Sequence, residues 1–93
     1  MRMPTNEAWL RIDGEGVVPA LQEALEKLDG AGGELVLDFS AVQRVDPSAI
    51  RALENLAVAA NDKAAKVMLR GVNVRVYKVL KLTKLASRFS FLT

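Results

Sequence analysis

The chemistry that this sequence can offer centres on one hydroxyl and two carboxylates near the middle of the chain. Ser48 follows Asp46 and Pro47, and from Ile50 onward apolar residues recur at helical spacing. Asp46 is a favourable N-cap because its carboxylate can accept hydrogen bonds from the free amides of a first helical turn, and Pro47 suits the first helical position. The pattern predicts that Ser48 lies exposed in that turn, where it can be recognised or modified.

Ser48 lacks the partners that serine catalysis requires. The chain has no histidine, so a Ser-His-Asp arrangement is excluded, and with no cysteine there is neither a disulfide nor a thiolate metal site. Spacing alone leaves a serine-lysine pair open, but nothing in the sequence places a lysine near Ser48. We therefore predict that the protein is not an enzyme.

Asp38 and Asp46 are the acidic residues nearest to the predicted strand ends. Such a pair could serve as acid and base or hold a magnesium ion. The simpler interpretation is structural, with Asp38 binding loop amides and Asp46 capping the helix. The glycine-rich stretch from Gly30 to Gly33 lacks the Gly-Lys-Ser/Thr ending of a phosphate-binding loop, so we expect a linker there, no cofactor and no metal.

Charge is distributed unevenly along the chain. Residues 1–62 carry five basic and eleven acidic side chains, whereas residues 63–93 carry eight basic and no acidic ones. The basic third could face an acidic partner, a nucleic acid, an anionic membrane or only water. Its few aromatic residues are spaced as in a core, so no direct nucleic-acid contact is expected. Membrane-surface binding through a helix from Arg75 to Lys84 stays open, but no apolar run is long enough to span a membrane.

Hydrophobic periodicity predicts one domain, residues 1–93, in which strands and helices alternate. Residues 1–7 are expected to be loose, and Asp29 to Gly33 should form a flexible connector. The strands are expected at residues 8–13, 35–39, 65–69 and 89–92, and the helices at residues 17–28, at residues 47–61 and after Asn73.

Helices between successive strands imply right-handed crossovers. The expected fold class is therefore α/β, with a mostly parallel or mixed four-stranded sheet packed with about three helices. The run Leu35-Val36-Leu37 predicts a central strand that is buried on both faces. A binding site is expected at the carboxyl ends of the strands, where the Asp46–Ser48 junction falls.

The stretch from Leu35 to Leu85 resembles the STAS domain, the fold of bacterial anti-sigma factor antagonists. An apolar strand ends in an aspartate and a small polar residue, LVLDFS. An aspartate-led junction follows, which commonly reads Asp-Ser-Ser-Gly in the family and reads Asp-Pro-Ser-Ala here. The segment LRGVNVRVYKVLKLTKL then matches the family's strand, turn and terminal helix. The N-terminal part is short for the family, which usually has an additional strand at the start.

The resemblance implies a cytoplasmic bacterial signalling protein without chemistry of its own. Ser48 falls on the family's phospho-acceptor and Asp46 on the acidic residue before it. Unphosphorylated, such a domain binds an anti-sigma factor that is often also its serine kinase, and phosphorylation ends the interaction. The expected partner-binding residues are Asp46, Pro47, Ser48, Ala49 and Arg51. Because Ala49 replaces a glycine, we expect its methyl group beside the acceptor, where it could hinder the approach of a partner.

A second family member offers a different role. The soluble STAS subunit of bacterial lipid-trafficking ABC transporters has a similar Val-Asn-x-x-Val-Tyr pattern, matched here by Val72 to Tyr77. That resemblance implies constitutive binding to a transporter ATPase. That subunit carries threonine at the acceptor position, so Ser48 favours the signalling role.

Overall fold

The computed structural model describes residues 7–28 and 33–92, with side chains from Trp9 onward. Strands and helices alternate as the periodicity predicts, and a short 3-10 helix at Ala86–Arg88 precedes the last strand. The elements are β1 (Glu7–Arg11), α1 (Val17–Lys27), β2 (Glu34–Asp38), α2 (Pro47–Asp62), β3 (Lys66–Arg70), α3 (Val74–Leu82) and β4 (Ser90–Leu92).

The four strands form a single parallel sheet in the order β1-β2-β3-β4. The predicted α/β class with three helices is confirmed, and of the two predicted arrangements the parallel one is found. Each helix connects neighbouring strands in the same direction across the sheet. Right-handed crossovers of this kind place successive helices on the same face.

The core lies between that face and the three helices. Its sheet side consists of alternate residues of the strands, and the inward stripes of α1, α2 and α3 join them in one apolar cluster. The central strand is buried on both faces as predicted, since Leu35, Val36 and Leu37 are each almost fully buried. Sheet residues of the cluster include Leu35, Leu37, Val67 and Leu69, and helix residues include Leu21, Leu53, Leu56, Val76 and Leu80.

The opposite face of the sheet has a different character. Trp9, Val36 and Met68 are aligned in register across β1, β2 and β3 on that face. Val36 is buried, Met68 is half-buried, and the side chain of Trp9 is 53% exposed. Among the described residues, the buried side chains of the helices belong to the cluster on the first face, except that of Ala49.

Some boundaries differ from the expectation. Glu7 belongs to β1 rather than to a loose terminus, while residues 1–6 and Asp29 to Gly32 lie outside the described residues. The spacing of Val76, Val79, Leu80 and Thr83 predicts one apolar stripe on α3, but Thr83 does not join it: it is exposed, and its hydroxyl donates to the carbonyl oxygen of Val79 at 2.9 Å. No helix in the described part of the chain is long and apolar enough to cross a membrane.

Replacement of Leu37 by alanine should lower the free energy of unfolding by about 2–5 kcal/mol, because it leaves a cavity in the centre of the core. Leu25→Ala on the outer side of α1 is the matched control and should cost less than about 1 kcal/mol, since Leu25 is exposed. Urea denaturation followed by circular dichroism measures both. Equal losses would contradict the assignment of Leu37 to the core.

Candidate functional site

The junction between β2 and α2 is built around a helix cap. Asp46 is the N-cap of α2, and its Oδ1 accepts a hydrogen bond from the backbone N–H of Ala49 at 2.8 Å. Pro47 occupies the first helical position, where its missing N–H removes no helical hydrogen bond. Ser48 follows in the first turn and is exposed. The cap, the proline and the exposure of Ser48 are as predicted.

Ser48 lies at the edge of a shallow cleft of about 340 Å³ between α1 and α2. Arg51, one turn further along α2, lines the same cleft and is also exposed. Within the described residues the hydroxyl of Ser48 is assigned no hydrogen bond. The structure therefore brings Ser48, Pro47 and Arg51 onto one accessible surface, with the α1 residues Val18 and Gln22 as the opposite wall.

Ala49 departs from the expectation. It is only 2% exposed, so its methyl group points into the protein rather than lying beside the Ser48 hydroxyl on the surface. The expected hindrance of a partner by this methyl group is thus not supported. Ala49 contributes to the site through its backbone N–H, which the Asp46 cap engages.

A larger cleft of about 610 Å³ adjoins the junction on the side of the β1–α1 turn. Its charged lining residues are Glu15, Arg44 and Asp46. Because Asp46 borders this cleft and Ser48 borders the other, the start of α2 forms a ridge between two depressions. A partner protein that binds at the start of α2 would contact both clefts.

The loop before the junction, residues 40–46, is held from the side by Asn73. The amide nitrogen of Asn73 donates to the carbonyl oxygens of Val42 and Gln43, each at 3.2 Å. Its amide oxygen accepts from the backbone N–H of Val76 at 2.8 Å and so caps α3. Asparagine is a favourable N-cap, so the sequence predicts that Asn73 caps the third helix, but it does not predict the contact with the loop. One side chain therefore ties the start of α3 to the loop that carries the candidate site.

Two glycines allow the loop to pack closely against its neighbours. A Cβ atom at Gly14 would collide with the backbone carbonyl of Ala41, so the β1–α1 turn meets the loop backbone to backbone. Gly71 has φ +74°, and a Cβ there would lie 2.9 Å from the Cβ of Ser40. Both positions therefore require glycine, which composition and periodicity do not indicate.

Asp38 ends β2 and begins this loop. Its Oδ1 accepts from the backbone N–H of Ser40 at 2.9 Å, and its Oδ2 lies 4.0 Å from Nη1 of Arg70. Hydrogen bonds from the backbone and side chain of Ser40 hold the pKa of Asp38 below its usual value, with smaller contributions from Arg70 and Arg11, although burial opposes them. Asp38 and Asp46 thus each serve a local structural purpose.

The described residues offer few side chains that could ligate a metal ion together. In residues 7–28 and 33–92 no group of three or more acidic, histidine or cysteine side chains is arranged to hold an ion. What the junction offers is a hydroxyl, a carboxylate used as a cap and nearby arginines. This set of groups is suited to recognition by another protein.

The chain matches the model of a known protein family over most of its length. The model of the STAS domain matches residues 8–93. The chain belongs to the STAS family. Members of this family are typically non-enzymatic binding modules. No curated protein matches the chain.

Solved structures that share the fold fall into two functional groups. A proposed anti-sigma factor antagonist from Thermotoga maritima has a TM-score of 0.69 at 22% identity, with 96% of this chain and 74% of that chain covered. The STAS domain of a SulP transporter from Vibrio cholerae has a TM-score of 0.79 at 18% identity, with 99% of this chain and 77% of that chain covered. The Bacillus cell-fate determinant SpoIIAA, solved in phosphorylated form, has a TM-score of 0.69 at 14% identity, with 100% of this chain and 88% of that chain covered.

The lowered pKa of Asp38 makes part of the stability depend on pH. Because the pKa is lower in the folded than in the unfolded protein, this contribution is present at neutral pH and is lost as the pH falls below about 4. Asp38→Asn should therefore be less stable than the wild type at pH 7, and the difference should shrink in acid. Denaturation curves across this pH range measure it; a difference independent of pH would contradict the role of the carboxylate.

Asn73→Asp should loosen the loop while retaining the cap of α3. The carboxylate can still accept from the N–H of Val76, but it offers no donors to the carbonyls of Val42 and Gln43 and repels them. Hydrogen exchange should therefore accelerate at Val42 and Ala49, with little change in α3. Asn73→Ala is the comparison, because it also removes the cap and should destabilise α3 by about 1 kcal/mol. Unchanged exchange in the loop would contradict the proposed tie.

Proposed function

We propose that this protein is a phospho-switchable binding module of the anti-sigma factor antagonist type. Unphosphorylated, it binds an anti-sigma factor that is also a serine kinase, and phosphorylation of Ser48 ends the complex. The observation that carries the proposal is the exposed hydroxyl of Ser48, which has no hydrogen-bond partner in the described part of the chain, in the first turn of a capped helix. Such a module acts in the bacterial cytoplasm, where sigma factors work.

Phosphorylation of Ser48 would change the electrostatics of the junction without demanding a change of fold. A phosphate adds roughly −1.5 to −2 charges. The dipole at the start of α2 favours negative charge there. In an interface shaped around a small hydroxyl, however, the phosphate would clash, lose water and repel Asp46. A loss of ~3 kcal/mol of binding free energy would weaken the complex more than a hundredfold.

Arg51 gives the switch a second component. It lies one turn after Ser48 and borders the same cleft. Guanidinium groups bind phosphate strongly through paired hydrogen bonds. A phosphate on Ser48 would therefore attract Arg51 within the domain and withdraw it from a partner, so that one modification adds bulk and removes a contact.

The junction supplies recognition but no group to activate the Ser48 hydroxyl, so the kinase activity belongs to the partner. Two of the structural relatives support the antagonist type and its phosphorylation: one is a proposed anti-sigma factor antagonist, and the other, SpoIIAA, was solved in a phosphorylated form. We expect Asp46, Pro47 and Arg51 to contact the partner directly, and Ala49 to support them through its backbone.

A second candidate is a subunit that binds the ATPase of a lipid-trafficking ABC transporter constitutively. The Val-Asn-x-x-Val-Tyr pattern favours it. In this chain Asn73 caps α3 and holds the loop, while the ring of Tyr77 meets Phe91 edge-on with centroids 5.2 Å apart. Both roles are structural and would serve either function, so Ser48 remains the feature that distinguishes them.

The switch predicts that Ser48→Asp loses the partner without losing stability. The new carboxylate lies in the first turn of α2, where the helix dipole favours it, so the melting temperature should stay the same or rise. Wild type, Ser48→Ala and Ser48→Asp are each used in pull-downs from the native cells. Mass spectrometry then identifies the partner proteins that each of them retains. Ser87→Asp is the matched control, since Ser87 is exposed outside the junction.

The expected result is a serine kinase retained by wild type, by Ser48→Ala and by Ser87→Asp, but not by Ser48→Asp. Phosphate should be found on Ser48 of the wild type. A transporter ATPase retained equally by all four proteins, with Ser48 unmodified, would replace the switch by the constitutive subunit.

A further inference from the structure

The basic third of the chain also carries much of the exposed apolar surface. Residues 63–92 contain eight basic side chains and no acidic one. Of the seven large apolar side chains that are exposed in the described residues, four belong to this third: Val74, Tyr77, Leu82 and Leu92. Leu82 is 83% exposed and Val74 is 72% exposed, the highest values of the seven. Apolar and cationic groups therefore share one region of the surface.

Helix α3 arranges these groups on a single side. Successive residues of an α-helix are separated by about 100°, so positions 74, 75, 78, 81 and 82 fall within an arc of about 120°. Val76 and Leu80, which point the other way, are fully buried in the core. We call this side the α3 outer face; it consists of five exposed residues, Val74, Arg75, Lys78, Lys81 and Leu82.

The cations of the α3 outer face are not neutralised locally. Arg70 forms an ion pair with Asp38 on the sheet, whereas no acidic side chain of the described residues lies within 4.0 Å of Arg75, Lys78 or Lys81. Lys84 and Arg88, also exposed, continue the basic surface beyond the end of the helix. An uncompensated field of this kind attracts a polyanionic surface.

We propose that the α3 outer face binds the surface of an anionic lipid bilayer. Lysine and arginine side chains would lie among the lipid headgroups, and Val74 and Leu82 would insert between them as shallow apolar anchors. These two anchors stand two turns, about 12 Å, apart on the convex side of a helix, with Lys78 between them. A bilayer accepts such an arrangement because it requires no complementary shape, whereas a protein partner would have to fit around each protruding side chain.

This surface is separate from the proposed switch. None of the five residues of the α3 outer face lines the clefts beside Ser48. Bilayer binding would therefore bring the module to a membrane whether or not Ser48 is phosphorylated, and Ser48→Asp should leave it unchanged. The two proposals can fail independently.

The test is cosedimentation of the untagged protein with vesicles of phosphatidylcholine alone and of phosphatidylcholine mixed with phosphatidylglycerol, at low and high salt. We expect binding only to the anionic vesicles, weakened by salt. Lys78→Glu should reduce the partition coefficient about tenfold or more. Lys27→Glu makes the same change of net charge on the exposed side of α1 and should reduce it much less.

A second pair of variants tests the apolar anchor. Leu82→Ser should weaken binding about fivefold, whereas Val58→Ser, which removes an exposed apolar side chain from α2, should have no effect. Melting temperatures confirm that all variants are folded. The proposal is overturned if the wild type does not cosediment with anionic vesicles at low salt. That result is expected if the α3 outer face binds an acidic protein instead of a bilayer. Equal losses in Lys27→Glu and Lys78→Glu would also overturn it, because net charge alone would then explain the attraction.

Discussion

The hydrogen bonds from the Asn73 amide to the carbonyls of Val42 and Gln43 hold the candidate site in place. The loop that carries the site leaves the sheet at Asp38 and would otherwise be free to move before it enters α2. Close backbone approach at Gly14 and Gly71 packs it on both sides. Asp46 then converts this fixed loop into a helix by capping the first turn. The position of the Ser48 hydroxyl therefore depends on contacts from three different β–α connections, all at the carboxyl edge of one parallel sheet.

This construction presents the hydroxyl of Ser48 at a fixed position on the surface of a small domain. The polar groups around the junction are mostly used for structure: Asp38 binds the loop, Asp46 caps the helix and Asn73 joins two connections. Ser48 and Arg51 remain exposed and available to a partner. A negative charge at this point is compatible with the helix terminus but not with an interface shaped for a hydroxyl. The fold would thus tolerate the proposed phosphorylation of Ser48, whereas the proposed complex would not.

Much of this arrangement could be predicted from the sequence because its physical causes are local. Apolar periodicity gives the alternation of strands and helices, and Asp46 with Pro47 marks the start of α2. The features that escaped prediction are tertiary. The amide of Asn73 reaches a loop some thirty residues away, and Gly14 and Gly71 matter because of Ala41 and Ser40, which are distant in sequence. The burial of Ala49 is likewise a tertiary feature, since its side chain is only 2% exposed and borders the larger cleft beside the β1–α1 turn, which a comparison of motif letters does not indicate.

The central claim is that one phosphate on Ser48 decides whether the complex forms. The most direct measurement is the affinity of the captured partner for two forms of the same chain, one with serine and one with phosphoserine installed at position 48. Calorimetric titration of the partner with each form gives the ratio of dissociation constants. We predict that phosphoserine weakens binding more than about a hundredfold, the equivalent of ~3 kcal/mol. Equal affinity for the two forms would contradict the switch and leave a module that binds its partner constitutively.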